Sequence, residues 1–225
     1  MSSYLDAMTL REARAVFFER GNLGSDGGYS DRWVKVEAKP IPFYFPNTKA
    51  RVAAARLHDL HHIAADYATD WPGEIEIAGW EIASGCGRFS VAWALNLGAF
   101  AVGLFLEPRR LFRAFVRGRR APTNLYHSEF DDSQLDQTTV GELRDWLGSH
   151  ESQPRIAKGD LAAFALWSTA ATATWLAPAA LAFVVCLAGK SRLTQPRKRA
   201  PRSNGTPTRR GRTDATRSGS NACDR

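Results

Sequence analysis

The chain has 225 residues, 44% hydrophobic and 24% charged, which suits one domain of roughly 150 residues together with further segments. Its net charge of +7 is unevenly spread: Lys190 to Arg225 holds eleven Lys or Arg against Asp214 and Asp224, a tail of +9 on a body of −2, so the charge does not describe a basic nucleic-acid-binding domain. The three cysteines, Cys86, Cys186 and Cys223, are widely spaced with no C-x-x-C, which excludes a disulfide framework and suits a reducing compartment.

The first residues do not read as a signal peptide, and none is expected. Residues Thr9 to Arg20 read as an amphipathic helix ended by Gly21. Residues 1–46 are thus an N-terminal helix followed by a turn-rich link, in which Phe43, Tyr44 and Phe45 are expected to pack the link onto the core. Gly24, Gly27 and Gly28 lack a preceding strand and the G-x-G-x-x-G spacing, so no dinucleotide fingerprint is present.

The stretch Asn47 to Tyr67 predicts a helix capped by Asn47 or Thr48, with no internal Gly or Pro. Leu60, Ile63, Ala64 and Tyr67 share its apolar face. His58, Asp59, His62 and Asp66 lie opposite, with His58 and His62 one turn apart, the spacing that lets two imidazoles reach one ion. A second helix should start at Thr69 or Asp70, carry Pro72 in its first turn and stop at Gly85. It sets Glu74 near a helix N-terminus, where the dipole favours the anion, and the short connection lets Glu74 fold back towards the histidines. The pattern is H-D-x-x-H, eleven residues, then E. Two imidazoles and two carboxylates suit Zn, Fe or Mn better than Mg or Ca, although a polar arc opposite an apolar face is also what a solvated helix shows.

Phe89 to Leu106 is an 18-residue apolar run interrupted by Asn96, Gly98 and Gly103. After it, Arg110, Arg113, Arg117 and Arg120 recur at helical spacing beside Leu111, Phe112, Phe115 and Val116, the pattern of a cationic helix on an anionic membrane surface. Residues 127–160 read as a polar linker with one helix capped at Thr138 or Thr139 and running to Leu147. Residues 161–189 follow, 29 without a charge, more than the ~20 needed to cross a bilayer. Two full spans would place the basic stretch after residue 106 and the basic tail on opposite sides. One run is therefore expected not to cross, or Pro178 to break the second into a re-entrant hairpin. Residues 190–225, rich in Arg, Ser, Thr, Gly and Pro, are expected to be disordered and to favour anionic lipid over nucleic acid.

His58, Asp59, His62 and Glu74 resemble, position for position, the H-D-x-x-H-x11-E signature of the coenzyme Q biosynthesis protein four family. Thr69, Gly73 and Glu81 are similar to that family's T-x-x-x-G-E and downstream Glu, and Arg113 to Tyr126 to its basic helix, so the likeness covers about residues 50–130 and centres on a helical core at 47–126. The resemblance implies a divalent metal, Zn first and Fe or Mn next, held by His58, His62, Glu74 and Asp59, and loss of the ring C1 carboxylate of a polyprenylated hydroxybenzoate in ubiquinone synthesis. It further implies that the first apolar run, at Trp93, Leu97 and Phe100, houses a polyprenyl chain, and that the partners are membrane lipid, a quinone precursor and other quinone-biosynthesis proteins. A non-catalytic quinone-binding scaffold with a structural metal is the alternative. His58, His61 and His62 also spell H-x-x-H-H, a desaturase box, but a chain with five histidines cannot fill the three boxes such enzymes need.

The whole is expected to be mostly α: a single helical domain, a membrane-associated C-terminal apolar helix or hairpin, and a disordered basic tail. It is expected at the inner membrane with the metal-site domain in the cytoplasm.

Overall fold

The computed structural model describes the backbone of residues 3–36, 43–150 and 155–193, and the side chains of these except 36, 43 and 176–193. The basic tail lies outside the described residues apart from its first four. Two compact units divide the chain, Met1–Val184 and Val185–Arg225, and the description below concerns the first.

The predicted helices form with the caps their sequences offer. Helix α1 (Leu10–Arg20) opens with a reciprocal Thr9–Glu12 capping box and closes at Gly21. Helix α2 (Lys49–Ala65) is capped by Thr48 and ends where Asp66 takes a left-handed conformation at φ 58°. Helix α3 (Trp71–Ser84) is capped by Asp70, whose carboxylate accepts from the Gly73 N–H, and stops at Gly85, φ 91°. The chain continues as α4 (Ser90–Leu106), α5 (Pro108–Gly118), α6 (Val140–Leu147) and α7 (Lys158–Leu193). The link before α2 departs from expectation: it contains an antiparallel pair, β1 (Trp33–Val36) and β2 (Phe43–Pro46), with Val34 opposite Phe45. Tyr44 is exposed there and Phe45 half-buried.

The core forms around α3, where Ile75, Ile77, Trp80 and Ile82 are buried against Leu60 and Ile63 of α2, Phe100 of α4, and Leu111 and Phe115 of α5. Helices α3 and α5 nearly touch: a Cβ on Gly118 would stand 2.3 Å from the Trp80 carbonyl oxygen. This packing changes the reading of α5. Its Leu111, Ala114, Phe115 and Val116 are buried in the protein, leaving little of that face for lipid.

The α5 arginines separate accordingly. Arg117 turns inward and donates to the carbonyls of Ala65 and Ser149, each at 2.6 Å. Arg120, with Arg119, holds the buried Asp160 at the start of α7. Arg110 stands 3.8 Å from Glu76, while Arg113 is exposed.

The proposed lipid-lining residues are likewise redistributed. Phe100 is fully buried between Phe115 and Phe164, Trp93 stacks on Trp167 at 5.3 Å, and Leu97 is half-buried against the core. Residues 127–160 are more than a polar linker, since Leu135, Val140, Leu143 and Leu147 join the core. Arg144 of α6 donates to the carbonyls of Ile63 and Ala64, a cation at the carbonyl end of α2.

Helix α7 runs unbroken through Pro178, not as a hairpin: one missing N–H is outweighed by the Ala- and Leu-rich sequence on both sides. Among the described residues no helix is long and apolar enough to cross a membrane. The later part of the expected span, from residue 176, has no described side chains.

Candidate metal centre

Three of the four expected ligands converge. His58 and His62 project from the same side of α2, and Glu74 reaches them from the first turn of α3. Gly73 makes this possible: a Cβ at that position would stand 2.0 Å from the Ala68 carbonyl oxygen, so only glycine lets α3 begin so close to the connection.

The Nε2 atoms of His58 and His62 are 3.1 Å apart, and the Glu74 carboxylate oxygens lie 3.5 Å from the first and 3.4 Å from the second. Each ring is held at its other nitrogen. His62 Nδ1 sits 3.2 Å from the Tyr67 carbonyl oxygen, an acceptor only, so Nδ1 carries the proton and Nε2 is a bare lone pair. His58 Nδ1 sits 3.0 Å from a Glu81 oxygen.

The two facing nitrogens and the carboxylate call for a cation between them, either a proton shared along the 3.1 Å contact or a metal ion that replaces it. Two nitrogens bound to one Zn at about 2.0–2.1 Å with tetrahedral angles stand about 3.3–3.4 Å apart, close to what α2 supplies. The donor set therefore fits a divalent metal of the Zn, Fe or Mn type. It opens outward on one side: the His62 side chain is fully buried, that of His58 22% exposed and that of Glu74 41% exposed.

The charges agree. Burial opposes protonation of His58, but Glu81 and Glu74 outweigh it and hold the imidazole well above its ordinary range. Burial alone would raise Glu74, yet the adjoining His62 and His58 pull it below the usual carboxylate range. The same negative field that favours a proton here also favours a divalent cation.

Asp59 does not join the group. Burial raises its carboxyl, and one oxygen accepts the hydroxyl proton of Tyr29 at 2.5 Å. Of the expected four, three are thus grouped so that they could hold a metal ion, and Asp59 forms an adjacent pair with Tyr29. Asp66 is the C-cap of α2 and accepts from the Ser3 N–H.

The polar arc of α2 is solvated only at its end: His62 is fully buried, Asp59 nearly so and His58 half-buried, while Asp66 is exposed. Behind the ligands lies a network the motif alone does not announce. Fully buried Glu81 is met by His58 and His61 at one oxygen and by Asn96 and Tyr126 at the other. Two signals were legible, the Glu74–Glu81 spacing of two helical turns and the polar Asn96 in an apolar run. A cleft of about 540 Å³ on another side of α2, lined by Tyr29, Arg56, Leu57 and Phe130 among others, includes none of the three ligands.

No protein family, curated protein or solved structure gives a significant match to the chain.

Proposed function

We propose that this chain is a metal-dependent lyase of ubiquinone synthesis, related to the coenzyme Q biosynthesis protein four family, acting on the head group of a polyprenylated hydroxybenzoate and removing its ring C1 carboxylate. The observation that carries the reading is the convergence of His58, His62 and Glu74 with one side open. Three protein ligands and a free position are the arrangement of a catalytic centre, whereas a structural zinc is closed by four. This favours catalysis over a scaffold with a structural metal.

His58, His62 and Glu74 would hold the metal, Zn first and Fe or Mn next. When bound it would supply a Lewis acid for a carboxylate or phenolate. The remaining work belongs to the protein. Tyr67 and Glu81 orient the two rings, and burial of His62 keeps bulk water from one side of the site. Asp59 is engaged by Tyr29, so on this reading the proton that replaces the carboxylate on the ring carbon comes from water at the open side of the site.

The membrane part of the reading is supported by apolar side chains left on the surface: Leu95, Val102, Phe105 and Leu106 of α4, with Leu166 and Trp175 of α7. A polyprenyl substrate confined to lipid requires an enzyme at the interface. On this reading the chain works at the inner membrane with its metal-site domain in the cytoplasm, alongside other quinone-biosynthesis proteins.

Elemental analysis of the chain purified in mild detergent tests the site. About one Zn, Fe or Mn per chain is expected, lost in both His58→Ala and Glu74→Ala. Labelled CO2 released from a prenylated hydroxybenzoate carrying the label in its carboxylate then tests the reaction. A wild type without metal would sink the reading; metal without CO2 release would leave the scaffold.

A further inference from the structure

Glu81 is among the most heavily hydrogen-bonded of the described buried side chains. It lies two turns after Glu74 on α3, which aims both carboxylates at α2, but Glu81 is fully buried. Its Oε1 is 3.0 Å from His58 Nδ1 and 2.6 Å from His61 Nδ1; its Oε2 is 2.5 Å from Asn96 Nδ2 and 3.1 Å from the Tyr126 hydroxyl. Four donors from three elements surround one buried carboxylate.

The proton positions follow from geometry. The backbone N–H of Leu125 donates to His61 Nε2 at 3.0 Å, so that nitrogen is the acceptor and Nδ1 must carry the proton given to Glu81. Both nitrogens of His61 are thereby consumed, which removes it as a ligand despite its place beside His62. The loop bearing Leu125 and Tyr126 is itself pinned: Asn124 donates to Ser84 Oγ at 2.8 Å and the Gly85 carbonyl at 2.7 Å, and accepts from the Tyr126 N–H at 2.9 Å. Glu81 thus stands on fixed supports, with His58 the one partner whose other nitrogen faces the ligand cluster.

We infer that Glu81 is the positioning residue of the metal centre: it fixes His58 as the Nδ1–H tautomer with Nε2 turned to His62 and Glu74, and its negative charge, passed through that imidazole, completes the neutralisation of a divalent cation begun by Glu74. The inference rests on the reading of His58, His62 and Glu74 as metal ligands. A carboxylate behind a histidine ligand fixes ring orientation and raises ligand basicity, and its loss typically costs 10–100-fold in metal affinity. Here that carboxylate is shared with a second, non-ligating histidine, which ties the metal centre to the loop at residues 124–127.

The test uses cobalt(II) titrated into the full chain, stripped of metal and kept in mild detergent, followed by visible absorption. Glu81→Gln keeps the shape and the acceptor oxygen but removes the charge. It should fold as the wild type by circular dichroism, bind cobalt 10–100-fold more weakly and show a shifted absorption band. Tyr126→Phe removes another hydrogen bond to the same carboxylate without touching a ligand, and should lose some thermal stability while its cobalt affinity stays within about threefold. Wild-type affinity and spectrum in Glu81→Gln would overturn the proposal, as would an equal loss in Tyr126→Phe. A direct reading needs no variant: nitrogen NMR of the zinc-loaded wild type should show His58 with a proton on Nδ1 and metal on Nε2, and binding through Nδ1 would overturn the assignment. A wild type that binds no cobalt fails the underlying metal reading, a result distinct from a wild type that binds while Glu81→Gln binds equally well.

Discussion

Two regions of this protein depart from the ordinary distribution of polarity in opposite directions. Between α2 and α3, histidines and carboxylates are buried; along α4 and α7, large apolar side chains are exposed. The first departure is settled inside the protein, because His58, His61, His62 and Glu81 find hydrogen-bond partners at defined atoms. A buried polar group without a partner costs about 1–3 kcal/mol, so such a cluster persists only when every member is answered. The second is not settled within the described residues: Phe105 is 73% exposed and Leu166 69% exposed. Buried polarity here is answered by partners within the chain, whereas the exposed apolar side chains are left to solvent among the described residues.

The strongest way to break the α2–α3 region is at its closest approach. Gly73→Ala would set a methyl against the Ala68 carbonyl, displacing the first turn of α3 and Glu74 with it. A loss of about 3 kcal/mol in denaturant unfolding is expected, together with loss of the metal binding proposed for this site. A variant as stable as the wild type and still metal-loaded would show that the connection tolerates the methyl.

The α4–α7 region should respond in the opposite way. Phe105→Glu combined with Leu106→Glu should change folding stability by less than about 1 kcal/mol, since both side chains are exposed. On the membrane reading, removing these two apolar side chains should lower partitioning onto uncharged phosphatidylcholine vesicles at least tenfold in a sedimentation assay. Unchanged partitioning would move membrane contact to another part of the chain.

The smallest effect concerns the junction between the α5 end and α7. Burial alone would raise Asp160, but hydrogen bonds from Arg120, the Ala157 N–H and Arg119 outweigh it and hold the carboxyl at about 2. A carboxyl whose pKa is depressed on folding contributes stability above its ordinary value of about 3.8 and loses it as pH falls toward 2. Asp160→Asn should therefore melt below the wild type at pH 6, with the gap narrowing between pH 4 and 2. A gap constant across that range would remove the ion pair as its cause.

Helix boundaries were the most legible part of the fold, because capping is local chemistry: Thr9, Thr48, Asp70 and Thr139 each bond within the first turn they start. The short strand pair was not legible, since its stability comes from cross-strand partners and the aromatic tract read equally well as core packing. The α5 arginines misled for a related reason. A helix with one apolar and one basic face looks the same in sequence whether the apolar face meets lipid or α3, and only the close approach at Gly118 distinguishes them.

What the sequence determined by itself is the local part: the mostly helical character, the caps, and the one-turn spacing that pairs His58 with His62 and sets Glu74 at a helix start. Tertiary structure alone decided which carboxylates serve which role. Asp59, adjacent to His58 in sequence, turns to Tyr29; Glu81, nineteen positions beyond His62, lies against His58. Helical periodicity fixes angles within one helix to within a fraction of a turn, whereas the choice between ligand and support depends on the placement of α3, α4 and the 124–127 loop around α2, set by packing over the whole core.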